Sequence, residues 1–170
     1  MRSDSADRAI SFRISFISSA TNQVVPPVSD VLSRLRSSPS WDEASICPAD
    51  EQFPRVHVGW HEGHGFVIQG FEDDRSGGYF LVGGAELSSP AVEINHGGQA
   101  LERWPPELFV ADPLAHHALD HFLNSGKQDP ALRWVRTDGF PRETVWQGRA
   151  GREVWERGHP KIGSDGNQRP

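Results

Sequence analysis

Histidine is the residue of this chain that most readily does chemistry, and six of its eight histidines fall in two short stretches. His57, His61 and His64 lie in HVGWHEGH, and His116, His117 and His121 lie in HHALDH. His117 and His121 are four apart, so on a helix both face one way and a metal could take both rings. The zinc-hydrolase pattern wants a Glu directly after its first His, and Ala118 stands there instead. These rings therefore read as surface histidines beside an apolar stripe, and no metal or cofactor is expected. The His61-Glu62-Gly63-His64 turn reads the same way. Cys47, the one cysteine, stands before Pro48 with no activating neighbour, and it rules out an internal disulfide. No Ser sits in a Gly-x-Ser-x-Gly elbow. The pairs Gly83-Gly84 and Gly97-Gly98 lack the lysine and spacing of a phosphate loop and read as turns. Without a catalytic constellation, the expectation is a binding protein and not an enzyme. A His-rich metal-dependent enzyme and a regulatory protein-binding module are the alternatives.

Charge is the second chemical signal. The chain has 170 residues and a net charge of -6. Residues 1–50 balance at -1, residues 51–130 at -8 and residues 131–170 at +3. The acidic middle suits a basic partner, because opposite potentials accelerate encounter. It argues against direct nucleic-acid binding, which needs a basic face. Glu72, Asp73, Asp74, Glu86, Glu93 and Glu102 lie in or beside turns of this segment and are the candidate interface residues. No apolar run approaches the roughly 18–20 residues of a membrane span, and Ser11, Arg13 and Ser15 interrupt the one stretch that could start a signal peptide. A cytoplasmic protein without membrane contact is expected.

The elements that must position these groups follow from hydrophobic period. Ile10, Phe12, Ile14 and Phe16 alternate with polar residues, as a half-buried strand requires. After Pro26-Pro27, Ser29 is placed to cap a helix with Val28, Val31, Leu32 and Leu35 on one side. Residues 40–53 show no clear period and read as a loop. Strands are expected at 53–60, 65–72, 78–82 and 91–96, with a hairpin turn at 73–77. Residues 108–111 read as a short strand or extended lead-in.

The strongest helix signal follows. Asp112 is a good N-cap, Pro113 fits the first turn, and Leu114, Ala115, Ala118, Leu119, Phe122 and Leu123 form one stripe up to a stop at Asn124-Ser125-Gly126. Residues 132–137 make a further strand carrying Trp134, and residues 143–147 and 152–156 suit an extra hairpin. The fold class is α+β, a mainly antiparallel β-sheet with two flanking helices. Residues 1–9 should be a flexible N-terminus, 10–158 a single domain and 159–170 a disordered tail.

Within this plan, residues 91–135 carry a more specific order: strand, Gly97-Gly98, apolar lead-in, helix, polar turn, then a strand with Trp134. Gly97, Gly98, Val110, Ala118, Phe122, Leu132 and Trp134 occupy places that resemble immunity protein family one of bacterial polymorphic toxin systems. The hairpin over residues 66–82 is similar to that family's central sheet, so the resemblance covers about residues 53–136. Pro105-Pro106 and the basic extension with Trp146 and Trp155 depart from it. The resemblance implies a small cytoplasmic antitoxin of bacterial competition. Such a protein binds a cognate toxin domain, often a nucleic-acid deaminase, and occludes its active site. Gly97, Gly98, Phe122 and Trp134 would be its structural residues.

Overall fold

A computed structural model of the chain describes residues 10–75, 77–95 and 101–144. Among them, nine strands and two α-helices form a sheet-dominated α+β fold. Seven strands make one antiparallel sheet in the order β2 (Ser19–Val24), β1 (Phe12–Phe16), β3 (Glu43–Pro48), β4 (Arg55–His61), β5 (Gly65–Phe71), β6 (Tyr79–Leu81) and β9 (Trp134–Arg136), and β7 (Val92–Asn95) and β8 (Leu101–Trp104) pair in a small second sheet.

Strand β1 (Phe12–Phe16) behaves as its alternation requires: Phe12, Ile14 and Phe16 are buried, and Arg13 and Ser15 face outward. β2 (Ser19–Val24) turns back on β1 and forms the sheet edge, although its sequence SATNQV offers no apolar alternation. Helix α1 (Val28–Arg36) buries Val28, Val31, Leu32 and Leu35. It starts one residue ahead of the expected Ser29 cap. The Pro27 carbonyl accepts the amides of Asp30 and Val31 at 2.9 and 3.2 Å, and no side chain caps the helix.

The expected loop at 40–53 contains a strand, β3 (Glu43–Pro48), paired with both β1 and β4. Ala44 and Ile46 point into the core, but the period is only two residues deep before Cys47 and Pro48 obscure it. β4 (Arg55–His61) and β5 (Gly65–Phe71) form the long central hairpin, and β6 (Tyr79–Leu81) continues the sheet past the expected turn. β7 (Val92–Asn95) pairs with β8 (Leu101–Trp104), a strand that the Trp-Pro-Pro run concealed. A single 3₁₀ turn, Pro106–Leu108, precedes the expected lead-in, which is extended at Phe109 and Ala111 and makes a lone bridge between them. In that bridge Val110 and Phe66 exchange hydrogen bonds of 2.8 and 2.9 Å.

Helix α2 (Asp112–Ser125) matches its sequence signal and buries Ala115, Ala118, Leu119 and Phe122. Ala111, not Asp112, takes the N-cap place. Asp112 lies in the first turn and binds Arg36 of α1 at 2.6 Å, tying the two helices together. Gly126 ends the helix with φ 69°, a left-handed conformation that glycine adopts without steric cost. β9 (Trp134–Arg136) then returns to pair with β6.

The two faces of the large sheet are covered differently. Both helices pack on one face, over Ile14, Ile46, Val58, Phe66, Ile68 and Leu81. On the other face a second cluster joins Val67 and Phe80 to Val92, Ile94, Trp104, Leu108 and Phe140. Gly97, Gly98, Trp146, Trp155, the second arm of the expected extra hairpin and both expected terminal tails lie outside the described residues.

Candidate partner-binding cleft

The β4–β5 turn organises one end of the molecule. Gly63 and Gly65 have φ of 78° and 133°, and a Cβ on Gly65 would lie 2.7 Å from the Val110 carbonyl. A side chain there would therefore push away the segment that leads into α2. Beside this turn lies an open cleft of about 590 Å³. Arg36 from α1, Trp60, His61, Glu62 and His64 from the hairpin, and Glu93 from β7 contribute to its walls. Trp60 is half-buried against Phe66, with ring centroids 4.7 Å apart, and so presents one fixed aromatic surface. Next to the lining residue Ser40, Trp41 is 44% exposed, and Ile17 is 62% exposed. Ile17 is held at this end because its amide donates to the Glu43 carbonyl at 3.1 Å. The neighbouring Ser18 donates to the buried Asp42 through its amide at 2.8 Å and its hydroxyl at 2.7 Å.

The described histidines divide among four environments. His61 is buried with its ring 5.5 Å from Phe109, and the exposed His64 ring lies 5.4 Å from the same phenyl. His57 faces the other end of the sheet, 5.1 Å from the Phe71 ring. Burial, and after it the positive Arg55 guanidinium, lower its pKa to about 4, so the imidazole is neutral at physiological pH. His117 and His121 turn toward a carboxylate: His117 Nε2 lies 2.8 Å and His121 Nδ1 3.7 Å from Asp129 Oδ2. The Ala131 amide, and then the His117 ring, hold the Asp129 carboxyl below the ordinary range. His116 is exposed. Among the described residues no group of three or more His, Cys, Asp or Glu is arranged to hold a metal ion.

The six acidic candidates do not form one patch. Glu72, Asp73 and Asp74 are exposed, the Asp73 carboxylate accepts the Arg75 amide at 2.7 Å, and Asp74 lies 3.7 Å from Arg75. Glu86 is exposed in the loop after β6. Glu93 is exposed and bonded to Arg103 at 2.9 Å. Glu102 is the exception: it is 6% exposed and faces inward on β8, opposite Ile94. It is not an interface residue. Alternation along β8 turns Glu102 to the same side as Trp104, while Arg103 takes the outer side. Glu72 borders a second hollow at the Arg55–Phe71 end of the hairpin, whereas Glu93 borders the Trp60 cleft. A seven-residue strand separates those ends by about 20 Å.

The structural residues fare differently again. Phe122 is a core residue, its ring tilted against Phe12 with centroids 5.3 Å apart. Trp134 is half-buried: it packs against the helix-side cluster and donates its indole N–H to the Asp129 carbonyl at 3.1 Å. Nothing in the sequence marks Arg36, Trp41, Trp60 or Ile17 as interface residues by charge or by turn position. The available signal was two tryptophans placed where the chain is otherwise polar.

No protein-family model matches this chain, and no curated protein matches it. Among the described residues, no helix is long and apolar enough to cross a membrane.

Proposed function

We propose that this chain is an immunity protein. In this reading it binds a cognate bacterial toxin domain, one that acts on nucleic acid such as a deaminase, and neutralises it in the cytoplasm by occluding its active site. The observation that carries the reading is the Trp60 cleft, edged by Glu62 and Glu93, at the end of the sheet where Trp41 and Ile17 are exposed. Large apolar side chains at the centre of an interface supply most of its binding energy. Carboxylates at its rim attract a basic surface and speed encounter. A toxin that grips phosphates presents a surface of that kind. The resemblance of residues 53–136 to immunity protein family one supports the same assignment. The exposed acids at 72–74, at the other end of the hairpin, and Glu86, which does not line the cleft, would contribute to steering rather than to residence time.

The test is co-expression with the toxin encoded by the adjacent reading frame, followed by a binding measurement on the purified pair. The wild-type chain should restore growth. A Trp41→Ala, Glu62→Lys double variant, still folded, should weaken binding by about 100-fold. Binding by the double variant with wild-type affinity would move the interface elsewhere. A wild-type chain that neither binds nor protects would end the immunity reading.

A further inference from the structure

Away from the helices, strands β2, β1, β3 and β4 turn polar side chains to the open part of the second sheet face. Arg13 stands opposite Cys47, Ser15 opposite Ser45, and Ser45 opposite His57. Between them lies a hollow of about 260 Å³ whose walls include Arg13, Ser15, Asn22, Ser45 and Arg55. Two guanidiniums line it and no carboxylate does, in a chain whose net charge is -6.

Both guanidiniums are held in place. Arg13 donates Nε to the Pro48 carbonyl at 3.4 Å and Nη2 to the Glu51 carbonyl at 3.3 Å, which leaves Nη1 uncommitted by these bonds. The Arg55 guanidinium carbon lies 4.8 Å from the Phe53 ring centroid and 5.5 Å from that of Phe71. Its Nε is buried with no hydrogen-bond partner among the described residues. A buried charged N–H without an acceptor is unfavourable, so Arg55 gains from any acceptor that its guanidinium meets in the hollow it lines. None of the ion pairs among the described residues involves Arg13 or Arg55.

We propose that this hollow is a binding site for a tetrahedral oxyanion, phosphate in type, taken up free or as the terminal group of a phosphomonoester. Arg13 and Arg55 supply the charge-assisted donors, the Ser15 and Ser45 hydroxyls and the Asn22 amide supply neutral ones, and a guanidinium matches two anion oxygens at once. After burial, the Arg55 charge also lowers the pKa of the neighbouring His57. The hollow exceeds the size of a bare phosphate, so a short ester substituent can also enter. This site lies on the opposite sheet face from Trp60 and does not rest on the toxin reading.

Amide NMR spectra of the full chain, titrated with inorganic phosphate and separately with glycerol phosphate, test the site against chloride at equal ionic strength. Saturable shifts centred on Ser15, Ser45 and Cys47 are expected, with a millimolar midpoint. Arg55→Gln should raise that midpoint by about tenfold. Arg13→Gln serves as the second variant if Arg55→Gln does not fold. A midpoint lower for the ester than for inorganic phosphate identifies an ester ligand, and equal midpoints identify the free anion. Shifts that match chloride, or a folded variant that binds like the wild type, overturn the proposal.

Discussion

The two faces of the large sheet are built from the same strands, and they differ in what their outward residues ask for. On the helix side every inward position of β1, β3 and β4 is apolar, and α1 and α2 close over it. On the other side the strands split. β5 and β6 offer Val67 and Phe80, and the small β7–β8 sheet, the 3₁₀ turn and Phe140 cover them. β1, β3 and β4 offer Arg13, Ser15, Ser45 and His57, and there a polar hollow remains open. Strict alternation along β1 marks a strand with one dry face, whereas the nearly unbroken GFVI at the start of β5 marks one covered on both. The boundary between cover and hollow thus runs between β4 and β5 and is set by the outward residues of the strands on either side.

Five variants sharpen or break that contrast. Phe122→Ala, in the helix-side core, should cost about 3–5 kcal/mol in chemical denaturation, and Phe80→Ala under the small sheet should cost a similar amount. A loss below about 1 kcal/mol for Phe80→Ala would show that the β7–β8 cover is loosely packed. Trp134→Ala should cost less, about 2–3 kcal/mol, because the ring is only half-buried, although the indole bond to Asp129 is lost as well. A melting temperature unchanged by this substitution would place the ring's packing energy near zero and make it an interface candidate.

Acidification probes the open side. The His57 pKa is lowered to about 4 in the folded chain, so the unfolded chain takes up the proton first. The stability that goes with the neutral ring is complete above pH 6.5 and is lost as pH falls toward 4. This loss amounts to at most about 3 kcal/mol, and His57→Gln should remove that part of the slope between unfolding curves at pH 7 and pH 4.5. An unaltered slope in the variant would show that His57 is solvated. The smallest effect belongs to the exposed turn: reversing Asp73 and Asp74 to Lys should leave stability within about ±0.5 kcal/mol. A larger loss would mean that the Asp73–Arg75 turn bond helps to set the hairpin.

The α+β class, the extent of α2 and the burial of Phe122 were legible because each rests on a local period carried over several residues. β2 was not, since an edge strand needs only backbone partners and SATNQV has no dry face to declare. β3 and β8 were hidden for related reasons: a two-residue inward period ending in Cys-Pro in one, and Glu102 at an inward position in the other. The same feature misled the choice of acids. Whether a carboxylate near a turn protrudes or tucks under depends on pairing register, here Ile94 against Glu102, which spacing does not reveal. The Trp60 cleft was illegible as a unit because it draws Arg36, Trp60 and Glu93 from three elements that only the tertiary fold brings together.

Strand order carries a consequence for how the chain reaches this state. β1 with β2, β4 with β5, and β5 with β6 are joined by short turns, so closing them costs little chain entropy. β9 is different, because Val135 meets Phe80 only after β7, β8 and α2 have intervened. Its pairing requires the longest closure in the large sheet, and contacts of that kind form late. Until β9 arrives, a nascent chain carries β6 as a bare edge with Phe80 and Leu81 beside it. The last strand to dock is therefore also the one that protects the assembling sheet from sticking to its neighbours.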